Sequence, residues 1–317
     1  MRLGIVGTGV MGSNHARIAA QATDYSLELI FDVDQARAEA LSQRFASGVA
    51  KSVDQLIENV DAVVIATPTE THAQLMRSCF EANRPFLVEK PIATQTSDID
   101  QVISRDNSLV MAVGHVERFN PAIRYIKQLK LGRINSISAR REGPYSSRIS
   151  EGVTRDLMIH DIDLASYLLG EKMVVQGAAL QASKSKTEDV SSAVLKSETG
   201  TVVSLFASRI GQTKVRDIRI ITDEFLAVLD LLQRTVVLYK QGTSEFIGLN
   251  SPIYSEQLTV ETPMLSNFSE PLAAEQEAFV NSVKSGHIDA ELATIQQGLR
   301  SLQIANEICG QYRPQNG

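Results

Sequence analysis

The chain has 317 residues, 43% of them hydrophobic and 21% charged, which is the composition of a soluble globular protein with length for two domains of ordinary size. Its net charge of −6 argues against a nucleic-acid or anionic-membrane partner, since either would need a basic face. Apolar runs such as Val60-Asp-Ala-Val-Val-Ile-Ala66 fall far short of a membrane span.

Met1-Arg2 leads straight into a strand, Arg2 to Val6, so no cleavable signal is expected. Gly7-Thr8-Gly9-Val10-Met11-Gly12 follows, and Ser13 to Ala20 reads as a helix. A G-x-G-x-x-G is a weak signal alone. Here a strand precedes it, a helix follows, and an acid stands some twenty positions on, the context of a dinucleotide site. Gly7 serves the tight turn, Gly9 the approach of a pyrophosphate, and Gly12 the packing of helix on strand. The N–H groups that open the helix, with its dipole, would hold the phosphates.

Leu27 to Asp32 is a second strand, ending in an acid placed to accept from the adenosine ribose diol. Asp32 would also repel a 2′-phosphate, and Val33 offers no compensating charge, so NAD is expected rather than NADP. Asp34 competes for that role, and Arg37 keeps the NADP reading open. Gln35 to Phe45 and Asp54 to Glu58 read as helices. Asp61 to Ala66 is a buried strand broken by Thr67-Pro68, and His72 begins another helix. Pro85 to Val88 is a strand ending in Glu89-Lys90-Pro91, Ser97 to Ser104 a helix, and Leu109 to Gly114 the closing strand. Strands alternating with helices at this spacing describe a doubly wound parallel sheet, whose ligands lie beyond the C-terminal strand ends. That rule gathers the glycine turn, Asp32, Thr67-Pro68, Glu89-Lys90-Pro91 and His115 to Asn120 around one crevice, with His72 counted among the cofactor-binding candidates. Lys90 would project a cation toward the nicotinamide; its competing reading is a solvated loop lysine.

A second domain is expected from 119 to 317, after a first of 1–118. Ala122 to Leu131 reads as a helix and Arg133 to Arg141 as a half-buried strand, followed by a loop through Tyr145 to Arg148. Asp156-Leu-Met-Ile-His160 opens a helix that runs to Leu169, and residues four apart share a face, so the carboxylate can orient the imidazole. A helix cap with a structural histidine is the plainer reading, and one histidine without a cysteine nearby makes a metal site unexpected. Six strands follow: Val174–Gln181, Val190–Lys196, Thr201–Ser208, Asp217–Thr222, Phe225–Asp230 and Thr235–Tyr239. They are short and turn-separated, as in a largely antiparallel open sheet with one face turned to a second subunit in a homodimer or homotetramer. Asn250 to Pro271 reads as a long irregular stretch, and Leu272 to Ser285 and Ala290 to Gln311 as closing helices. Cys79 and Cys309 lie far apart and outside any C-x-x-C, as reduced thiols of a cytoplasmic protein.

Taken together, Gly7-x-Gly-x-x-Gly12, Ala66-Thr-Pro-Thr with His72, Glu89-Lys90-Pro91 and Asp156-x-x-x-His160 resemble the glucose–fructose oxidoreductase / inositol dehydrogenase family of two-domain NAD(P)-dependent enzymes. The resemblance implies a catalytic role for Lys90, Asp156 and His160, and a cis peptide before Pro91. It implies oxidation of a secondary alcohol on a sugar or cyclitol, with His160 taking the hydroxyl proton and Lys90 stabilising charge on the oxygen. Val113 to Pro121, Arg141 to Pro144 and Asp156 to Asp163 are most similar to family members acting on the 3-hydroxyl of UDP-N-acetylglucosamine. Arg118, Asn120, Tyr145 and Arg148 are then candidate substrate contacts. Arg140, Arg141 and Arg155 are further arginines suited to phosphate, or else charges at a sheet edge. Inositol or aldose oxidation, an NAD-recycling lyase or hydrolase, and a non-catalytic NAD-binding regulator are the alternatives.

Overall fold

A computed structural model describes residues 1–99, 109–146, 151–247, 252–265 and 269–311. The chain divides into two compact units, Met1–Phe119 with Ser269–Gln303, and Asn120–Phe268 with Ile304–Gly317. The sequence reading drew one boundary after residue 118 and kept everything beyond it together. The chain instead returns, and Ser269–Gln303 belongs with the first unit.

In the first unit β1 (Arg2–Val6), β2 (Ser26–Phe31), β3 (Gly48–Val49), β4 (Ala62–Ile65), β5 (Phe86–Glu89) and β6 (Met111–Gly114) are parallel. They lie in the order β6-β5-β4-β1-β2-β3, the doubly wound arrangement with its reversal between β1 and β4. β4 and β5 are buried at every position, which is why they read as unbroken apolar runs. The helices α1 (Val10–Gln21), α2 (Gln35–Phe45), α3 (Val53–Asn59) and α4 (His72–Glu81) follow the strands at the expected places. The Lys90–Pro91 peptide is cis. Thr96–Ile99 is a 3₁₀ turn, and the rest of the helix expected at 97–104 lies outside the described residues.

The second unit begins with α5 (Pro121–Gln128), capped by the Asn120 side chain, and β7 (Ile134–Glu142). A turn of π-helix, Thr154–Met158, leads into α6 (Ile159–Leu169), where an unbroken α-helix was expected from Asp156. β8 (Met173–Gln181), β9 (Val190–Ser197), β10 (Val202–Ser208), β11 (Val215–Thr222), β12 (Leu226–Asp230), β13 (Thr235–Ile247) and β14 (Pro252–Glu261) complete an eight-stranded sheet. Its order is β14-β13-β12-β11-β7-β10-β9-β8, antiparallel except where β10 runs parallel to β7. Within the stretch expected to be irregular, 250–271, Pro252 to Glu261 is a strand, and β13 runs on to Ile247 to pair with it. As the last strand of the sheet, β14 lacks the buried apolar alternation that marks an inner one, with Leu258 through Glu261 all exposed.

One face of this sheet packs on α5 and α6 around Ile137, Leu195, Leu205, Ile220 and Leu229. The opposite face carries a row in register across all eight strands: Val174, Lys196, Val202, Ser136, Ile221, Leu226, Tyr239 and Val260. Val174, Ile221 and Val260 are 58%, 47% and 52% exposed.

The returning segment supplies α7 (Pro271–Ser285), β15 (Ala293–Thr294) and α8 (Ile295–Gly310). β15 adds antiparallel to β6, so the helix expected from Ala290 begins only at Ile295. Ala274, Ala278, Phe279 and Val280 of α7 share a buried cluster with Leu3, Ile5, Leu87 and Phe119. Among the described residues no helix is long and apolar enough to cross a membrane.

Candidate active site

The dinucleotide turn is built where β1 and β4 diverge. Gly7 has φ +96°, and its N–H donates to the Phe31 carbonyl at 2.8 Å. A Cβ there would lie 2.5 Å from the Ala66 carbonyl oxygen, so the turn presses on the end of β4. At Gly12 a Cβ would fall 1.9 Å from the Gly7 carbonyl oxygen, which only glycine permits. Gly9 is different: a Cβ meets nothing within 4 Å, leaving backbone open on that side. Gly9 caps α1 with no side-chain hydrogen bond, and the first intrahelical bond runs from Ser13 N to Gly9 O at 2.9 Å. The N–H groups of Val10, Met11 and Gly12 thus open the helix without a side-chain cap, and the helix dipole adds partial positive charge there.

Asp32 stands at the end of β2, where the sequence reading put it. Its Oδ2 accepts from the Thr8 N–H at 2.7 Å and the Thr8 hydroxyl at 2.6 Å, and its Oδ1 from the Asp34 N–H at 2.9 Å. Burial alone would raise its pKa, but the Thr8 hydroxyl, the Asp34 and Thr8 amides and the Arg37 charge outweigh it and hold the carboxyl below its ordinary range. The rival acid, Asp34, is the N-cap of α2, accepts from Arg37 N and pairs with the Arg37 guanidinium at 3.0 Å.

Gly7, Gly9, Val10, Met11, Asp32, Arg37, Thr67, Pro68, Glu89 and Lys90 are among the residues that line one cavity of about 870 Å³. That is within the about 300–1,000 Å³ of small-molecule and cofactor pockets. His72 is buried beneath it, with Nδ1 2.9 Å from the Pro91 carbonyl and Nε2 2.9 Å from the Thr67 carbonyl. Burial lowers its pKa against the pull of those carbonyls, and the ring sits between the loop after β4 and the loop after β5. Glu89 is 7% exposed, and one of its oxygens lies 3.0 Å from His15 Nε2.

In the second unit Asp156 and His160 are both half-buried, on either side of the junction between the π turn and α6. The π turn is pinned from the β8–β9 connection: Thr154 N donates to Glu188 Oε1 at 3.2 Å and Val153 N to the Glu188 carbonyl at 3.0 Å. Wider single turns of this kind are frequent at functional sites. Asp161, next to His160, is 4% exposed and receives Arg141 Nη2 at 2.8 Å and Nε at 3.0 Å. The structure thus overturns the phosphate reading of Arg141, whose guanidinium is itself 2% exposed, and Arg140 pairs with Asp217 at 2.8 Å.

Arg118 is 1% exposed and donates to Gln297 Oε1 at 2.9 Å, while Asn120 caps α5 and donates to the Leu231 carbonyl at 3.0 Å. Tyr145 is 38% exposed, with the Lys184 ammonium 5.6 Å from its ring centre. Arg148 lies outside the described residues. Lys90 sits in the first unit and Asp156 and His160 in the second. Among the described residues no group of three or more His, Cys, Asp or Glu could hold a metal ion. The sequence reading missed His15, Glu188 and the Arg141–Asp161 pair. His15 had a signal: it falls on the face of α1 shared by Gly12, Ala16 and Ala19, where a buried imidazole needs partners.

Two family models match the chain. One, described as an oxidoreductase family with an NAD-binding Rossmann fold, covers residues 1–115, and the GFO/IDH/MocA C-terminal domain covers 119–225. A UDP-N-acetylglucosamine 3-dehydrogenase of Acidithiobacillus ferrooxidans is 32% identical over 89% of this chain and 88% of its own. Its solved structure superposes with a TM-score of 0.88 over 98% of this chain and 97% of that one. A myo-inositol 2-dehydrogenase of Thermotoga maritima is 27% identical over 90% of this chain and 89% of its own. The scyllo-inositol dehydrogenase of Lactobacillus casei, solved with NAD(H) and scyllo-inositol, shares the fold at 22% identity, with a TM-score of 0.79 over 98% of this chain and 96% of that one.

Proposed function

We propose, from the premise that this chain belongs to the GFO/IDH/MocA family of oxidoreductases, that it is an NAD-dependent dehydrogenase oxidising a secondary alcohol of a nucleotide-linked amino sugar. The carrying observation is the cavity that joins the uncapped start of α1, Asp32 and Lys90. Its residues fit a dinucleotide: open backbone at Gly9 for a pyrophosphate, and at Asp32 a carboxylate held ionised for a ribose diol. Asp32 and the exposed Val33 favour NAD over NADP, since neither would stabilise a 2′-phosphate and Arg37 is engaged by Asp34. Bound NAD supplies the hydride acceptor. Lys90 stabilises negative charge developing on the substrate oxygen, as oxyanion-stabilising groups do. His160 takes the hydroxyl proton, and Asp156 orients its ring. Tyr145 and Arg148 are the substrate contacts in this reading; Arg118, held by Gln297, and Asn120, the cap of α5, are buried at 1% and 2% exposure.

The apolar row on the open sheet face favours a homo-oligomer, because contiguous exposed patches of that kind are uncommon on monomers. A cytoplasmic setting belongs to the same reading, with Cys79 and Cys309 free thiols. The test follows absorbance of NADH with UDP-N-acetylglucosamine, free sugars and inositols as substrates. Turnover confined to the UDP-sugar supports the reading; turnover confined to inositols would move the substrate to the cyclitol class seen in the Thermotoga relative. Lys90→Met and His160→Ala should each lower kcat by about 10²–10⁴-fold while NAD still binds.

A further inference from the structure

The imidazole of His15 is wholly buried between two polar side chains that lie far from it in the chain. Nδ1 is 2.9 Å from Gln276 Oε1 on α7, and Nε2 is 3.0 Å from Glu89 Oε1 at the end of β5. A carboxylate can only accept, so Nε2 carries a proton and donates to Glu89 whichever way the Gln276 amide is turned. Glu89 is confined from the other side as well. A Cβ on Gly114 would stand 3.2 Å from Glu89 Oε2, a tight approach, so a side chain there would crowd that carboxylate. Glu89 is thus held between α1 and β6, and the next residue along the same backbone is Lys90.

We infer that His15 is a positioning residue: by holding the Glu89 carboxylate it fixes the end of β5 and sets where Lys90 places its ammonium in the cavity. This rests on the catalytic reading of Lys90 given above, and it adds a mechanical link between the helix that opens the dinucleotide pocket and the lysine. α7 completes the link, because Gln276 fixes the other ring nitrogen.

The test uses the two amides that each reproduce one imidazole nitrogen. In His15→Gln the amide nitrogen occupies the place of Nε2 and can still donate to Glu89; in His15→Asn it occupies the place of Nδ1 and cannot. The two differ by one methylene, so a general packing role would separate them by a loss of thermal stability and leave the reactivity of Lys90 unchanged. We expect His15→Gln to keep kcat near that of the parent. His15→Asn should lose about 10- to 100-fold in kcat, the scale of a displaced catalytic group, with the NAD dissociation constant from calorimetry little changed. The rate at which trinitrobenzenesulfonate modifies Lys90, read by peptide mass spectrometry, should likewise change in His15→Asn and not in His15→Gln. Gly114→Ala, which crowds Glu89 from β6 without touching His15, should reproduce the His15→Asn pattern and serves should His15→Asn fail to fold. Equal kcat and equal Lys90 modification in the two amide variants would overturn the inference, as would NAD affinity falling in step with kcat. If the parent enzyme oxidises no sugar or cyclitol, the catalytic reading fails, and the Lys90 modification rates still decide whether His15 positions that lysine.

Discussion

Replacing Arg141 by methionine removes one half of the ion pair that ties β7 to α6. Both partners are almost fully enclosed, at 2% and 4% exposure, and the guanidinium meets the Asp161 carboxylate at 2.8 and 3.0 Å. Methionine fills most of the arginine's volume, so the main effect is electrostatic: a buried carboxylate left without its cation. Such a loss costs about 3–5 kcal/mol, or about 10²- to 5 × 10³-fold in the unfolding equilibrium. For a unit of this size that is a fall of about 6–20 °C in the melting temperature. Neutralising the orphan as well, in Arg141→Met/Asp161→Asn, should recover most of the loss, because a hydrogen-bonding amide replaces the stranded charge. Thermal scans by circular dichroism on the single and double variants measure both. A single variant within about 1 kcal/mol of the parent, or a double variant no better than the single, would refute the claim that a buried charge pair anchors the helix carrying His160.

The glycine turn makes a paired prediction: Gly12→Ala drives a Cβ into the Gly7 carbonyl and should lower the melting temperature, whereas Gly9→Ala should fold normally and lose NAD affinity by calorimetry. Asp189 makes one about acid. Burial would raise its pKa, but the Ser185 hydroxyl, the Lys184 and Ser183 amides and Arg209 outweigh it and hold the carboxyl far below its ordinary range. A lowered folded-state pKa stabilises fully above the unfolded value of about 3.9 and is lost as pH falls below it. The stability gap between the parent and Asp189→Asn, measured by urea titration, should therefore be constant at neutral pH and close below about pH 4. Asp32→Ala should weaken NAD binding by about 10- to 150-fold, the worth of one hydrogen bond to a charged group at about 1.5–3 kcal/mol, and leave NADP binding much less changed. Equal losses for the two coenzymes in calorimetry would show that Asp32 serves only to hold Thr8.

What could be read from the residues alone follows from how local each signal is. β1, the glycine turn, α1 and Asp32 form one continuous stretch whose periodicity and turn chemistry agree; β1 runs from Arg2 to Val6 as expected, and α1 begins at Val10, three residues before the expected Ser13. β4 and β5 announced themselves as apolar runs because both faces are covered. β14 was not legible: it borders the sheet, its described side chains are exposed, and nothing forces an alternation that sequence could display. β15 is two residues long and exists only through pairing with β6. The π turn was hidden for another reason. Its residues suit an α-helix well, and its first amide is met by Glu188, which reaches Thr154 from a connection over thirty residues away.

The same distinction explains which candidate residues a sequence can offer. Lys90 and Asp156 sit in short motifs, so chain order alone proposes them. The groups that hold such residues in place are drawn from distant elements: Gln276 lies 261 positions from the His15 ring it contacts, and Glu89 lies 74 positions from it. This is why the return of the chain into the first unit matters for chemistry as well as for packing. α7 brings Phe279 and Val280 into the core beside Leu87, and with them the one amide that meets His15 Nδ1. A dinucleotide unit ended at residue 119 would keep every motif of the pocket and lose the packing and the hydrogen bond that α7 adds beneath β5. The pocket's motifs are therefore contiguous in sequence, but the support for the strand end that carries Lys90 is assembled from both ends of the chain.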